Sequence, residues 1–152
     1  MFIYVASSYR NTQYRAVMER IKDSGHKIYD WALEHAGMHT RDKETNQARP
    51  APHLAAIMST WMFKAISEAK AFVLVMPCGN AAHTELGYYL AMHGYNQCIL
   101  LADKSQWLDD AFYAQMVKFS YREIDNMLDQ LARWGGLPNS GPITQQGLED
   151  KA

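Results

Sequence analysis

A chain of 152 residues is one domain by size and long enough to close over a core of its own. With 48% apolar residues, 20% charged residues and a net charge of -1, it has the balance of a globular protein in water, without the basic excess that nucleic acid or an acidic membrane surface demands. No apolar run approaches a membrane span, two cysteines are too few for a disulfide framework or a metal quartet, and the opening Met1-Phe-Ile-Tyr-Val5 reads as a strand rather than a signal peptide. Cys78 and Cys98 each read as a small buried hydrophobe beside a sheet, and a cytoplasmic, reduced location fits.

Phe2 to Ala6 predicts a first strand, broken by the polar residues 7–11. From about Thr12 to Ser24, the residues Tyr14, Val17, Met18 and Ile21 share one helical face, and Gly25 is placed to end that helix. His26 to Asp30 predicts a short second strand. Met38 to His53 is polar, carries Pro50 and Pro52, and reads either as a functional flap or as a plain loop. Helix resumes from Leu54 to Ala69, with Leu54, Ile57, Met58, Trp61, Met62, Ala65 and Ile66 as its apolar face. Ala71 to Met76 is a continuous apolar run, so it predicts a strand buried on both faces, stopped by Pro77 and Gly79. Asn80 is expected to cap the next helix, which Gly94 ends. Gln97 to Ala102 and, more weakly, Val117 to Ser120 predict two more strands. Gln106 to Met116 and Tyr121 to Trp134 predict helices, the second burying Ile124, Leu128, Leu131 and Trp134. Gly, Pro, Ser and Gln dominate residues 135–152, which read as a flexible tail after a domain of residues 1–134.

Strand and helix alternate throughout. That predicts an α/β fold: one doubly wound, flavodoxin-like parallel sheet of five strands in the order 2-1-3-4-5, with helices on both faces. Ligands of such sheets bind at the switch point, here between the first and third strands. Two polar turns meet there, residues 7–11 and residues 77–85.

Those turns carry the candidate chemistry. Arg10 can fork onto a phosphate or carboxylate, and Ser7 and Ser8 add hydroxyls beside the free N–H groups of a helix start. The other reading is a serine cap with a solvated arginine. Glu85 lies about a turn and a half into its helix, where the dipole favours an ionised carboxylate. It either acts on a ligand or merely complements that dipole. Facing a sugar, an ionised carboxylate can attack the anomeric carbon or stabilise an oxocarbenium ion. Such chemistry usually wants a second acid for the leaving group. Asp30 is the nearest candidate, or else a solvated loop acid. His83 either bonds a substrate or steadies the turn. Tyr4, Tyr9, Trp31, Tyr88 and Tyr89 can stack on a base or fill the core. His35 and His39 have the spacing of a metal pair, but no third ligand stands out, so neither a metal nor another cofactor is expected. A dinucleotide fingerprint and a P-loop are both absent from the sequence.

At these residues the chain resembles the nucleoside 2-deoxyribosyltransferase-like superfamily, which includes 2'-deoxynucleoside 5'-monophosphate N-glycosidases. Ile3-Tyr-Val-Ala-Ser-Ser-Tyr-Arg-Asn11 is similar to its first strand and phosphate or sugar loop, and Gly25-His-Lys-Ile-Tyr-Asp-Trp31 to its second strand. Ala69 to Tyr88 resembles its signature ending in Glu-Leu-Gly, and Ala111 to Met116 also looks familiar. The resemblance covers residues 1–133 apart from the polar insertion.

It implies that Glu85 is the nucleophile opening an N-glycosidic bond through a covalent sugar intermediate, with Tyr4 beside it. It implies that Ser8 and Arg10 hold a 5'-phosphate, with Gly79, Asn80 and His83 on the signature turn. It further implies a small-molecule nucleoside or nucleotide substrate and a homodimer or higher homo-oligomer. Two acids of the family pattern are replaced: Met62 stands where a helix aspartate is usual, and Lys70 where a second acid precedes the signature strand. Their loss leaves a second reading, a module that binds nucleotide without turning it over.

Overall fold

The computed structural model describes residues 1–45, 48–102 and 119–136. The strands are β1 (Phe2–Ala6), β2 (Lys27–Ile28), β3 (His39–Arg41), β4 (Ala48–Pro50), β5 (Ala71–Val75), β6 (Cys98–Leu101) and β7 (Phe119–Tyr121). The helices are α1 (Tyr14–Asp23), α2 (Trp31–Glu34), α3 (Ala55–Glu68), α4 (Asn80–His93) and α5 (Ile124–Gly135). Five strands form one parallel sheet in the order β2-β1-β5-β6-β7, the 2-1-3-4-5 arrangement of the flavodoxin-like class.

The apolar strands dictate two cores. Side chains alternate across a strand, so Ile3, Val5, Val73, Val75, Ile99 and Leu101 face α1 and α5. Tyr4, Ala6, Phe72, Leu74, Cys98 and Leu100 face the other way, onto α3 and α4. The register places Tyr4 opposite Phe72, and their rings stack at 5.6 Å. Helix α1 buries Tyr14, Val17, Met18 and Ile21, the face its spacing predicts.

Several expectations need correction. Helix α3 buries Met58, Ala65 and Ile66, while Ile57 and Trp61 are exposed. The helix is apolar on more than one side, so periodicity alone cannot choose its inner face. Helix α5 fully buries Met127 and Leu131, whereas Ile124, Leu128 and Trp134 are only half-buried. Tyr121 ends β7 rather than opening the helix. The insertion is no plain loop: β3 and β4 pair antiparallel, with Thr40 opposite Arg49. Its turn is held by Asp42, whose Oδ1 accepts from the N–H groups of Glu44 and Thr45 at 2.9 Å each. Gly79, not Asn80, stands at the cap position of α4, and Asn80 is its first helical residue. Cys98 is buried in β6, but Cys78 is half-buried in a turn; both are free thiols. The helix expected at residues 106–116, the first part of the weak strand and the tail from residue 137 lie outside the described residues. No helix among the described residues is long and apolar enough to cross a membrane.

Candidate active site at the sheet switch point

The chain leaves β1 and β5 side by side, and their following turns are tied together. Ser7 Oγ donates to the Val75 carbonyl at 3.0 Å. Asn11 Nδ2 donates to Ser7 Oγ at 3.1 Å and to the Pro77 carbonyl at 3.3 Å, while Asn11 Oδ1 accepts from the Gln13 N–H at 2.9 Å. Asn11 is buried and uses both ends of its amide, which is why the loop can cross between strands without orphaned polar groups. Sequence reasoning passed over Asn11; its place as the last polar residue of the turn is the signal it offered. Gly79 lies in the opposite turn. A Cβ there would come within 4.0 Å of Ser8 Oγ, so the two turns are in contact.

Glu85 enters from α4. The buried residues of this helix are Ala82, Glu85, Leu86 and Tyr89, an i, i+3, i+4, i+7 stripe in which a carboxyl takes a core position. Glu85 is 8% exposed and faces Tyr4, which is fully buried in β1. Among the described residues the Tyr4 hydroxyl completes no hydrogen bond, yet it and the Glu85 carboxyl lie near enough for each to shift the other. Burial pushes the Glu85 carboxyl from its ordinary 4.5 up to about 8, with the Tyr4 O–H pulling the opposite way. Tyr4 itself is raised far above its ordinary value, by burial first and by Glu85 second.

The sequence expectation of an ionised carboxylate is thus corrected. A helix terminus stabilises an anion by about 0.3–1 kcal/mol at an exposed site. Taking a carboxylate out of water costs several kcal/mol, so burial wins. The Ala82–Glu85–Leu86–Tyr89 stripe was the readable warning. Among the described residues, no cation pairs with Glu85.

Other groups ring it. Burial, with Glu85 second, raises the Cys78 thiol to about 11. Tyr9 is pushed up to about 12, by burial first, with Glu85 and Asp30 adding to it. Tyr9 is half exposed, meets the edge of Trp31 at 4.4 Å, and shares a 3.2 Å hydrogen bond with His39 Nε2 on β3. Trp31 is anchored in turn, its Nε1 donating to the Val5 carbonyl at 3.2 Å. His83 Nε2 lies 3.5 Å from Cys78 Sγ, so it meets the turn through a residue that sequence reasoning had assigned to the core. Arg10 is exposed, and its backbone N–H donates to Ser8 Oγ at 3.2 Å.

Two expected residues are engaged differently. Asp30 is 7% exposed and caps α2, its Oδ1 accepting from the Leu33 N–H at 3.1 Å. Its Oδ2 pairs with Lys22 at 3.2 Å and with Arg15 at 3.7 Å. Asn80 is exposed, and its carbonyl accepts from Thr84 Oγ1 at 3.1 Å. His35 and His39 are not brought together as a metal pair: His35 bonds Tyr29 at 2.9 Å, and His39 bonds Tyr9. No group of three or more His, Cys, Asp or Glu side chains among the described residues is arranged around a metal position.

No family model matches the chain, and no curated protein matches it. Solved structures do. A 2-deoxyribosyltransferase from Bacillus psychrosaccharolyticus superposes with a TM-score of 0.65 at 12% identity, over 85% of this chain and 91% of that one. A CMP N-glycosidase from Clostridium botulinum gives a TM-score of 0.54 at 17% identity, over 88% of this chain and 99% of that one. Both belong to the nucleoside 2-deoxyribosyltransferase-like superfamily, and the fold that the sequence resemblance implied is the fold this chain has.

Proposed function

We propose that the protein acts on the glycosidic bond of a small nucleoside or nucleotide, as an N-glycosidase or 2-deoxyribosyltransferase, with Glu85 as nucleophile. One observation carries this reading: a nearly buried carboxyl, without a counter-cation among the described residues, facing a buried tyrosine hydroxyl at the sheet switch point. A structural glutamate has little reason to sit there. In the proposed reaction the ionised Glu85 carboxylate forms a bond to the anomeric carbon as the bond to the base nitrogen breaks. The base nitrogen takes a proton from water as it leaves, and water or a second base then releases the sugar from Glu85. Tyr4 orients the carboxyl and stabilises its charge through its O–H. Ser8, Arg10 and the signature turn of Gly79, Asn80 and His83 line the substrate's path, Arg10 taking a 5'-phosphate. Ser7 and Asp30 support the loops rather than the substrate.

A homodimer is part of the proposal. Helix α3 presents Ile57 at 43% and Trp61 at 40% exposure one turn apart, an apolar outer strip that a second copy would cover. Sedimentation of the full chain tests it: a monomer at micromolar concentration removes this part.

The reaction is tested with a panel of nucleosides and of ribo- and deoxyribonucleoside monophosphates, following free base. Base release that vanishes in Glu85→Ala supports the enzyme. Arg10→Ala should weaken monophosphate binding while bare nucleoside binding holds; an equal fall in both makes Arg10 structural.

Met62 and the engagement of Asp30 favour a second reading, a sensor that binds nucleotide without cleaving it. The acid expected in α3 is a half-buried methionine, and the nearest alternative acid already caps α2. Calorimetric binding of a monophosphate with no base released from any member of the panel selects this reading.

A further inference from the structure

At the turn between β5 and α4, two soft donors, Met76 and His83, each meet a third, Cys78. Cys78 Sγ lies 3.3 Å from Met76 Sδ and 3.5 Å from His83 Nε2. Met76 and Cys78 flank Pro77 in the turn, and His83 follows on the first turn of α4. All three are half-buried, so a small ion can reach them while much of their surroundings stays dry. Bonds of about 2.3 Å to sulfur and about 2.0 Å to imidazole nitrogen set neighbouring ligands of one metal ion about 3.5–4 Å apart. For a three-coordinate ion the Cys78–Met76 spacing must open by about 0.7 Å and the Cys78–His83 spacing by about 0.2 Å, which side-chain rotation supplies.

The donor chemistry selects the ion. A thiolate, a thioether and an imidazole with no carboxylate suit a soft cation. Zinc and harder ions favour thiolate, imidazole and carboxylate sets instead, and a thioether offers them little. We propose that Met76, Cys78 and His83 form a three-coordinate site for cuprous copper. Loading breaks the Cys78 S–H bond, forms S–Cu and releases one proton to solvent. Met76 Sδ and His83 Nε2 each give a lone pair, and no oxidation state changes. Binding there does not depend on the glycosidase reading.

The test is anaerobic titration of the full chain against a chromophoric cuprous chelator. One equivalent of copper should leave the chelator, and one proton should appear per copper in weak buffer at pH 7. Losing a direct ligand costs at least the roughly 10–100-fold that outer-shell changes cost, so Cys78→Ser, Met76→Leu and His83→Gln should each weaken binding by that much or more. Zinc in equal amount should not compete. A readout in the unmutated protein guards against variants that fail to fold: silver ion, a redox-inert stand-in, should protect Cys78 from iodoacetamide, read by mass spectrometry. The proposal is overturned if no copper leaves the chelator, if Cys78→Ser binds as tightly as the parent, if Cys98→Ser rather than Cys78→Ser abolishes binding, or if silver leaves Cys78 unprotected.

Discussion

Replacing Glu85 by glutamine should stabilise the protein near neutral pH, and the size of the gain follows from where the carboxyl sits. Burial raises Glu85 from an ordinary 4.5 to about 8. Between those values the folded chain holds a proton that the unfolded chain has lost, so stability falls as pH rises. Below 4.5 both states are protonated, and above 8 the loss is complete. Each pH unit in that window costs about 1.4 kcal/mol. At pH 7, roughly 2.5 pH units above 4.5, the wild-type chain has lost on the order of 3 kcal/mol. Glutamine keeps the shape and carries no proton to lose, so Glu85→Gln escapes this fall. The assay is urea unfolding of both proteins from pH 4.5 to 8.5, read by tryptophan fluorescence. Groups common to both, including the buried His26 and His35, cancel in the difference. The two curves should separate steadily, the variant being more stable at pH 7. Curves that stay parallel across the window would refute a buried, protonated Glu85.

In the proposed reaction the same carboxyl governs turnover in the opposite sense. Because the nucleophile must be ionised, kcat/KM for base release should rise about tenfold per pH unit towards pH 8 and then level off; a flat profile from pH 5 to 8 contradicts the assignment. Tyr4→Phe removes a fully buried hydroxyl that completes no hydrogen bond, so stability should rise by up to about 1 kcal/mol. Base release should nevertheless fall about 10–100-fold, the worth of one hydrogen bond to a charged group; a variant that keeps its rate makes Tyr4 mere packing. Asp30→Ala should cost about 1–2 kcal/mol through the lost cap of α2, measured by thermal unfolding, and leave base release in place. Release that collapses while stability holds would instead make Asp30 the second acid.

The five-stranded sheet was readable because its strands are short apolar runs with polar breaks, and alternation with helices leaves few topologies. The convergence of the two turns followed from that topology, and the Ser7 and Asn11 bonds realise it in atoms. What escaped the sequence was set by tertiary surroundings. The β3–β4 hairpin was missed because His39-Thr-Arg41 and Ala48-Arg-Pro50 show no apolar alternation, so nothing in them signals a strand. The inner face of α3 was misjudged because Ile57, Trp61 and Phe63 are as apolar as the residues it buries. The protonation of Glu85 turns on a contest between the helix dipole and burial, and only the packing of α4 against β1 decides it. Asp30 read either as a second acid or as a solvated loop acid; its cap of α2 and its partners Lys22 and Arg15, which lie on a different helix, could not be read from the sequence.

Asn11 rivets one flank of the cleft, since a single amide grips both loops at once. On the other flank a phenol–imidazole contact joins Tyr9 to His39 of the hairpin. The riveted flank should therefore exchange its amide hydrogens more slowly than the hairpin does. In the proposed function, molecules entering or leaving would pass on the hairpin side. Trimming the hairpin should alter how quickly they come and go far more than the arrangement of the groups that receive them.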